Sequence, residues 1–94
     1  MGYFDFEWDE VKSEACFCER GFDFAYLTEG FHDPGRLTWV DDRYDYGETR
    51  YVTVCVIEQR HFVVVFTIRP SKTRIISGRK ANSRERAMYD NQAT

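Results

Sequence analysis

The chain has 94 residues, 43% hydrophobic and 17% aromatic, enough apolar material for one modest core and too little for two, so residues 1–94 are expected to form a single domain. The longest apolar run, residues 62–68, is far too short to span a bilayer, and the N-terminus carries acids and aromatics where an export signal needs a basic then an apolar run. The expectation is a cytoplasmic protein with no membrane contact. The net charge of −3 argues against a generic nucleic-acid binder, but it averages two unlike halves: residues 1–47 carry four Lys/Arg against twelve Asp/Glu, and residues 48–94 carry nine against four. Such a split suits either a local surface for an anionic ligand or two halves that neutralise each other across their interface.

In chain order, Asp9 is a good N-cap for a helix reaching about Arg20, with Val11, Ala15 and Cys18 recurring at i, i+4 and i+7, and Gly21 ends it. Asp23 can cap a second, shorter helix with Phe24, Leu27 and Phe31 on one face, stopped by Asp33-Pro34-Gly35. The period then changes to two. Residues 36–41 read as a first strand, residues 42–48 as a charged, aromatic loop, and residues 51–58 and 61–69 as strands so close together that only an antiparallel hairpin joins them. Pro70-Ser71-Lys72 turns the chain into a fourth strand over residues 73–80, and Asn82 with Glu85 has the capping-box spacing that opens a C-terminal helix. The predicted fold is α+β: two N-terminal helices, a four-stranded antiparallel sheet and a C-terminal helix.

Chemistry concentrates in the basic half. Arg69 ends the third strand, Arg74, Arg79 and Lys80 lie along the fourth, and Arg84 and Arg86 open the last helix. Regular alternation puts Ile75, Ser77 and Arg79 on one face and Arg74, Ile76, Gly78 and Lys80 on the other, while Arg79 sits at the strand end remote from Arg69. RNA cleavage by internal 2′-hydroxyl attack needs a proton acceptor, donors for an anionic phosphorane and a proton for the leaving oxygen. Arg, Lys and Tyr can supply these without a His pair. The competing reading is that the arginines pair with carboxylates of the first half. His61, beside Arg60 at a hairpin, suits phosphate contact, proton transfer or plain surface polarity, and His32 has no companion at metal-ligand spacing.

The remaining groups are less specific. Three cysteines, Cys16, Cys18 and Cys55, are an odd number and all read as reduced thiols, and because Cys16 and Cys18 cannot share a helix face, ordinary packing is expected of them rather than zinc or redox ligation. Asp41, Asp42, Asp45 and Glu48 crowd one loop and offer a metal-dependent hydrolase reading, but the calcium-loop spacing is absent. Neither a metal nor another cofactor is expected. Trp8, Trp39, Tyr44 and Tyr46 suit stacking on unpaired bases or ordinary packing.

An ordered set of segments resembles the BrnT toxin family: Phe6-Glu7-Trp8-Asp9 with Lys12, Phe31-His32-Asp33-Pro34, the run from Asp42 to Arg50, that from Val63 to Arg69, that from Arg74 to Asn82, and the helix from Arg84-Glu85 to Tyr89. The resemblance implies a RelE-like fold and a bacterial endoribonuclease toxin of a type II toxin–antitoxin system, cleaving RNA without metal to inhibit translation and growth. It also implies neutralisation by a BrnA-like ribbon-helix-helix antitoxin, through which alone the pair meets operator DNA. Carried over by position, Arg69, Arg79 and Lys80 are the catalytic or phosphate-binding candidates, and Arg50, Arg60, His61, Arg84 and Tyr89 complete the RNA-binding set. In the first helix the family usually shows an Asn followed by Lys-His-Gly, where this chain has Cys16-Phe17-Cys18-Glu19-Arg20-Gly21; Gly78 stands where Ala is common. The departure at Glu19-Arg20 raises the alternative of a catalytically weakened or inactive homologue acting as antitoxin partner and transcriptional co-repressor.

Overall fold

A computed structural model describes residues 5–43, 45 and 47–92. The chain runs β1 (Phe6–Trp8), α1 (Glu10–Arg20), α2 (Phe24–Leu27), a 3-10 turn (Thr28–His32), β2 (Leu37–Asp41), β3 (Arg50–Ile57), β4 (Arg60–Ile68), β5 (Thr73–Lys80) and α3 (Ser83–Asn91). The fold is α+β, with five strands in the order β1-β5-β4-β3-β2. β2 to β5 are the four antiparallel strands expected, but β1 adds a fifth, parallel to β5, with Phe6 opposite Thr73 and Trp8 opposite Ile75. The sheet is therefore mixed. Three residues are too few to show alternation, and their partner comes from the far end of the chain, so no local pattern announces β1.

Capping chemistry sets the helix ends. Asp9 accepts the Lys12 N–H at 3.1 Å, and Gly21, at φ 89°, closes α1 in the left-handed conformation that favours glycine. Asp23 caps α2 by accepting the Tyr26 N–H at 2.9 Å. Asn82 and Glu85 form the predicted capping box, each side chain accepting the other's backbone N–H at 2.8 Å. The second helix is a single turn that tightens into the 3-10 segment, but Phe24, Leu27 and Phe31 are buried as a set. In α1 the expected apolar stripe is not the packed face: Val11 is 76% exposed and Ala15 and Cys18 are exposed, while Ser13 and Cys16 are buried. Small polar side chains bring the helix close. Ser13 Oγ accepts the Phe24 N–H at 3.0 Å, and the Cys16 thiol lies 3.9 Å from the Gly78 carbonyl.

The β3–β4 connection is a two-residue turn in which Glu58 (φ 51°) and Gln59 (φ 70°) both take positive φ, the type I′ pattern that matches strand twist. One face of the sheet is closed by α1, α2 and the 3-10 turn. Cys55, Ile57, Phe62, Val64, Phe66 and Ile75 pack there against Cys16, Phe22, Phe24, Leu27 and Phe31, with edge-on ring contacts from Phe62 to Phe22 and from Phe66 to Phe31 at 5.0 Å. The other face buries a smaller cluster, Val52, Val54, Val63 and Ala81, flanked by Val65 and Tyr89. α3 lies across part of it and is pinned by polar contacts: Tyr89 Oη donates to Asp33 Oδ2 at 2.7 Å, and the Gln92 amide donates to the Gly35 carbonyl.

A β-bulge corrects the face assignment along β5. Phe66 pairs with Ile75 but Val65 pairs with Ser77, so Ile76 is an extra residue between them. The bulge separates Ile75 from Ser77 and Arg79: Ile75 and Gly78 belong to the closed face, and Arg74, Ser77 and Arg79 to the open one. The carbon that a side chain at Gly78 would add lies 2.1 Å from Leu27 Cδ1, so α2 approaches the strand at van der Waals contact only because no side chain is there.

Candidate functional site

β1 ends at Trp8, opposite Ile75, so among the described residues no strand covers the outer side of residues 76–80. A groove of about 910 Å³ follows this edge from the open face to the flank of α1. Val52, Val63 and Val65 line its floor. Its walls come from β2 and the residues after it (Trp39, Asp41, Arg43), from α3 (Arg84, Glu85, Met88) and from α1 (Lys12, Glu19, Arg20). Trp39 and Met88 are 37% and 39% exposed, an apolar and aromatic surface beside the charges.

Arg79 enters the groove from β5. Its Nη1 and Nη2 donate to the two Glu85 carboxylate oxygens at 2.9 and 2.8 Å, and Nη1 also donates to the Lys80 carbonyl at 3.2 Å. The hydrogen bond to Glu85 raises the Arg79 pKa further, and the same bond, with the Asn82 N–H, holds the Glu85 carboxyl below its usual range despite partial burial. Arg79 is thus a fixed cation and Glu85 a carboxylate at neutral pH. Arg43 is near enough to oppose the Arg79 charge, and it is held in turn by Asp41, which accepts from Nε at 2.8 Å and Nη2 at 3.0 Å. Five cations and four carboxylates line the groove, so its field is nearly balanced, and the placement of donors decides what it can hold.

Of the catalytic and RNA-binding candidates, the structure brings Arg79 and Arg84 to the groove, together with Trp39 of the stacking candidates. Lys80 is next in sequence, but it pairs with Phe62 and so leaves the strand on the opposite side from Arg79. Arg69 follows β4 at the other end of the sheet, about 20 Å away along the strand, and pairs with Glu48 at 3.3 Å and Glu7 at 4.0 Å. Arg50 pairs with the same Glu48 at 3.8 Å. Arg60 donates to Tyr26 Oη at 3.0 Å and lies over the Phe62 ring at 5.3 Å. His61 Nε2 is 3.0 Å from Asp90, with its ring edge-on to Tyr89 at 5.1 Å. Tyr89 is bound to Asp33, and burial followed by that bond pushes its phenol up to about 12. These residues do not share one site.

Pairing between the two halves accounts for several cations: Arg69 and Arg74 reach Glu7, and Lys72 reaches Asp5 at 3.2 Å. Among the described residues, Lys80 and Arg84 make no ion pair. Tyr44 and Tyr46, read as stacking candidates, lie outside the described residues. The crowded acids point elsewhere than at a shared centre: Asp41 binds Arg43, Asp45 accepts the Gly47 N–H, and Glu48 faces Arg69. No group of three or more His, Cys, Asp or Glu among the described residues is arranged to hold a metal. Burial pushes the Cys16 thiol up, and the Cys55 thiol up to about 12, as packed thiols behave.

Sequence reading did not single out Lys12, Arg43 or Glu85 as site residues, and it met Arg20 only in the Glu19-Arg20 departure of the first helix. Arg43 had one local signal, the Asp-x-Arg spacing after a strand end, which lets a carboxylate hold a guanidinium two residues on. Glu85 was read only as half of a capping box, and its second role depends on the bend between β5 and α3. Glu19 and Arg20, the pair at which the first helix departs from the expected pattern, flank the same groove as Arg79 and pair with each other at 3.3 Å.

Residues 8–85 match the family model described as the ribonuclease toxin, BrnT, of a type II toxin–antitoxin system. Comparison with individually curated proteins gives no match. No helix among the described residues is long and apolar enough to cross a membrane.

Proposed function

The chain belongs to the BrnT family of ribonuclease toxins of type II toxin–antitoxin systems, and from that premise we propose that it cleaves RNA in the groove along the free edge of β5, with Arg79 at the reacting phosphate. The observation that carries this reading is the setting of Arg79: a guanidinium held by Glu85 in an open groove that Arg43, Arg84 and the exposed Trp39 also line. A phosphodiester lying there meets donors that need no rearrangement, which is how a fixed dipole or cation lowers the barrier to a phosphorane. Arg84 and Lys12 contact flanking phosphates, and Trp39 offers a face for an unpaired base. Arg79 stays protonated, so its role is to stabilise charge and not to carry the proton. Lys80, on the other side of the strand, is a flanking cation in this scheme, and Arg69 is an anchor for β1.

Arginine charge supplies what a metal would, so the proposed cleavage is metal-independent and uses the 2′-hydroxyl as nucleophile. Purified protein is expected to cut a single-stranded RNA in excess chelator, to leave 2′,3′-cyclic phosphate ends and to spare an all-deoxy strand. Cleavage that requires a divalent ion, or that also cuts the deoxy strand, contradicts the scheme. In a cell the activity would inhibit translation and growth until a BrnA-like antitoxin covers the groove.

One observation favours a second reading. Among the described residues no imidazole lines the groove, and Glu19-Arg20 occupies the wall where the family's Lys-His element belongs. A homologue lacking that proton carrier would be slow or silent and would act as the antitoxin's partner and co-repressor. A stable antitoxin complex together with intact RNA at large protein excess is the outcome that selects it.

A further inference from the structure

Arg79 has five N–H groups, and three are accounted for. Two face the Glu85 carboxylate end-on and one meets the Lys80 carbonyl. The remaining two, Nε–H and the second hydrogen on Nη2, lie parallel on one edge of the guanidinium. Among the described residues nothing engages that edge, and the Arg79 side chain is 47% exposed in the groove. Glu85 is itself held: its side chain is 14% exposed, and Oε1 also accepts the Asn82 N–H at 2.8 Å as part of the capping box. The helix start therefore fixes the carboxylate, and the carboxylate fixes the guanidinium.

We infer that Glu85 is a positioning residue, which orients Arg79 so that its Nε/Nη2 edge is presented side-on to two oxygens of one RNA phosphate. The inference rests on the ribonuclease reading for its ligand, since the geometry by itself asks only for an anion that offers two oxygens to parallel donors. The two donors of that edge are parallel in any arginine, but a freely rotating side chain aims them at one phosphate only at an entropic cost. Both Glu85 oxygens already accept hydrogen bonds, Oε1 from Arg79 Nη1 and the Asn82 N–H and Oε2 from Arg79 Nη2, and a carboxyl held below its usual range is a weak base, so the contribution assigned to Glu85 runs through Arg79.

Glu85→Gln separates this role from capping. Glutamine serves equally in a capping box, and the oxygen that accepts the Asn82 and Nη1 hydrogens is retained. The other oxygen becomes an NH2 set against Nη2, donor against donor. Long-range electrostatics makes the opposite prediction, because removing a negative charge from the groove should strengthen RNA binding.

The test is fluorescence anisotropy of a 2′-O-methyl oligoribonucleotide, which cannot react, on wild type, Glu85→Gln, Arg79→Ala and the double variant, with melting temperatures alongside. The expected result is binding weakened about 10-fold in Glu85→Gln, an unchanged melting temperature, and no further loss when Glu85→Gln is added to Arg79→Ala. Binding by Glu85→Gln equal to or tighter than wild type, or full additivity of the two substitutions, overturns the inference. Cleavage of the unmodified RNA is scored separately on wild type: intact RNA there removes the ribonuclease reading, while the binding cycle still decides whether Glu85 orients an oxyanion site.

Discussion

On the face covered by α1 and α2, Leu27, Cys55, Phe62 and Val64 are completely buried among aromatic rings. On the other face apolar burial is confined to Val52, Val54, Val63 and Ala81, α3 buries no residue of its own, and Trp39 and Met88 remain more than a third exposed. The same strands serve both faces, because alternate residues point opposite ways and the bulge at Ile76 resets the alternation on β5. The difference teaches where stability and recognition reside: the closed face supplies most of the apolar burial, and the half-open face leaves a floor on which charged groups can be held without being covered.

That division can be broken most directly at Phe62. Phe62→Ala removes a ring with no solvent exposure and is expected to cost about 3–5 kcal/mol in urea unfolding, whereas Trp39→Ala on the open face should cost no more than about 1–2 kcal/mol while weakening RNA binding. Equal costs would show that the open face carries as much of the fold as the closed one. Gly78→Ala comes next. The added carbon would meet Leu27, which is fully buried, so a loss of about 1–3 kcal/mol is expected. A shift of Leu27 in a crystal structure of the variant would identify the cause, and an unchanged denaturation midpoint would show that α2 gives way freely.

The hinge between the faces is Asp33, which accepts from Tyr89 Oη at 2.7 Å, the Val56 N–H at 2.9 Å and the Gly35 N–H at 2.8 Å. Burial alone would raise its pKa, but these three bonds and Arg36 outweigh burial and hold it below 3.8. A carboxyl lowered in the folded state stabilises above its unfolded value, and that stability is lost as the pH falls through the folded one. Asp33→Asn should therefore cost about 1–3 kcal/mol at pH 7 and flatten the loss of stability below about pH 4, read from urea midpoints across that range. The smallest stability effects should come from Arg69→Ala and Arg79→Ala, both half-exposed ion pairs worth at most about 1 kcal/mol. Their activities should diverge: Arg69→Ala keeps RNA cleavage and Arg79→Ala loses it. Matching losses would mean that the two ends of the sheet act together.

What the sequence made legible was local. The caps at Asp9, Asp23 and Asn82, the stop at Gly21 and the β3–β4 hairpin each depend on residues a few positions apart, and each forms where the pattern indicates. β1 and the bulge at Ile76 are properties of pairing between distant segments and leave no mark on spacing. The packed face of α1 was misjudged because Ser13 and Cys16, small and weakly apolar, dock more closely than the stripe of Val11, Ala15 and Cys18. The site was legible only in part for the same reason. Arg79 stands out as a cation on a strand end, but its distance from Arg69, its pairing with Glu85 and its nearness to Arg43 arise only when the sheet is assembled.

The most direct test of the account is induction of the chain in a bacterium, beside Arg79→Ala and beside co-expressed antitoxin, with growth followed and new RNA ends mapped by primer extension. The account predicts growth arrest with discrete new ends, both abolished by Arg79→Ala and by the antitoxin. Unimpaired growth and intact RNA in cells that hold folded wild-type protein, or arrest that persists in folded Arg79→Ala, would contradict it.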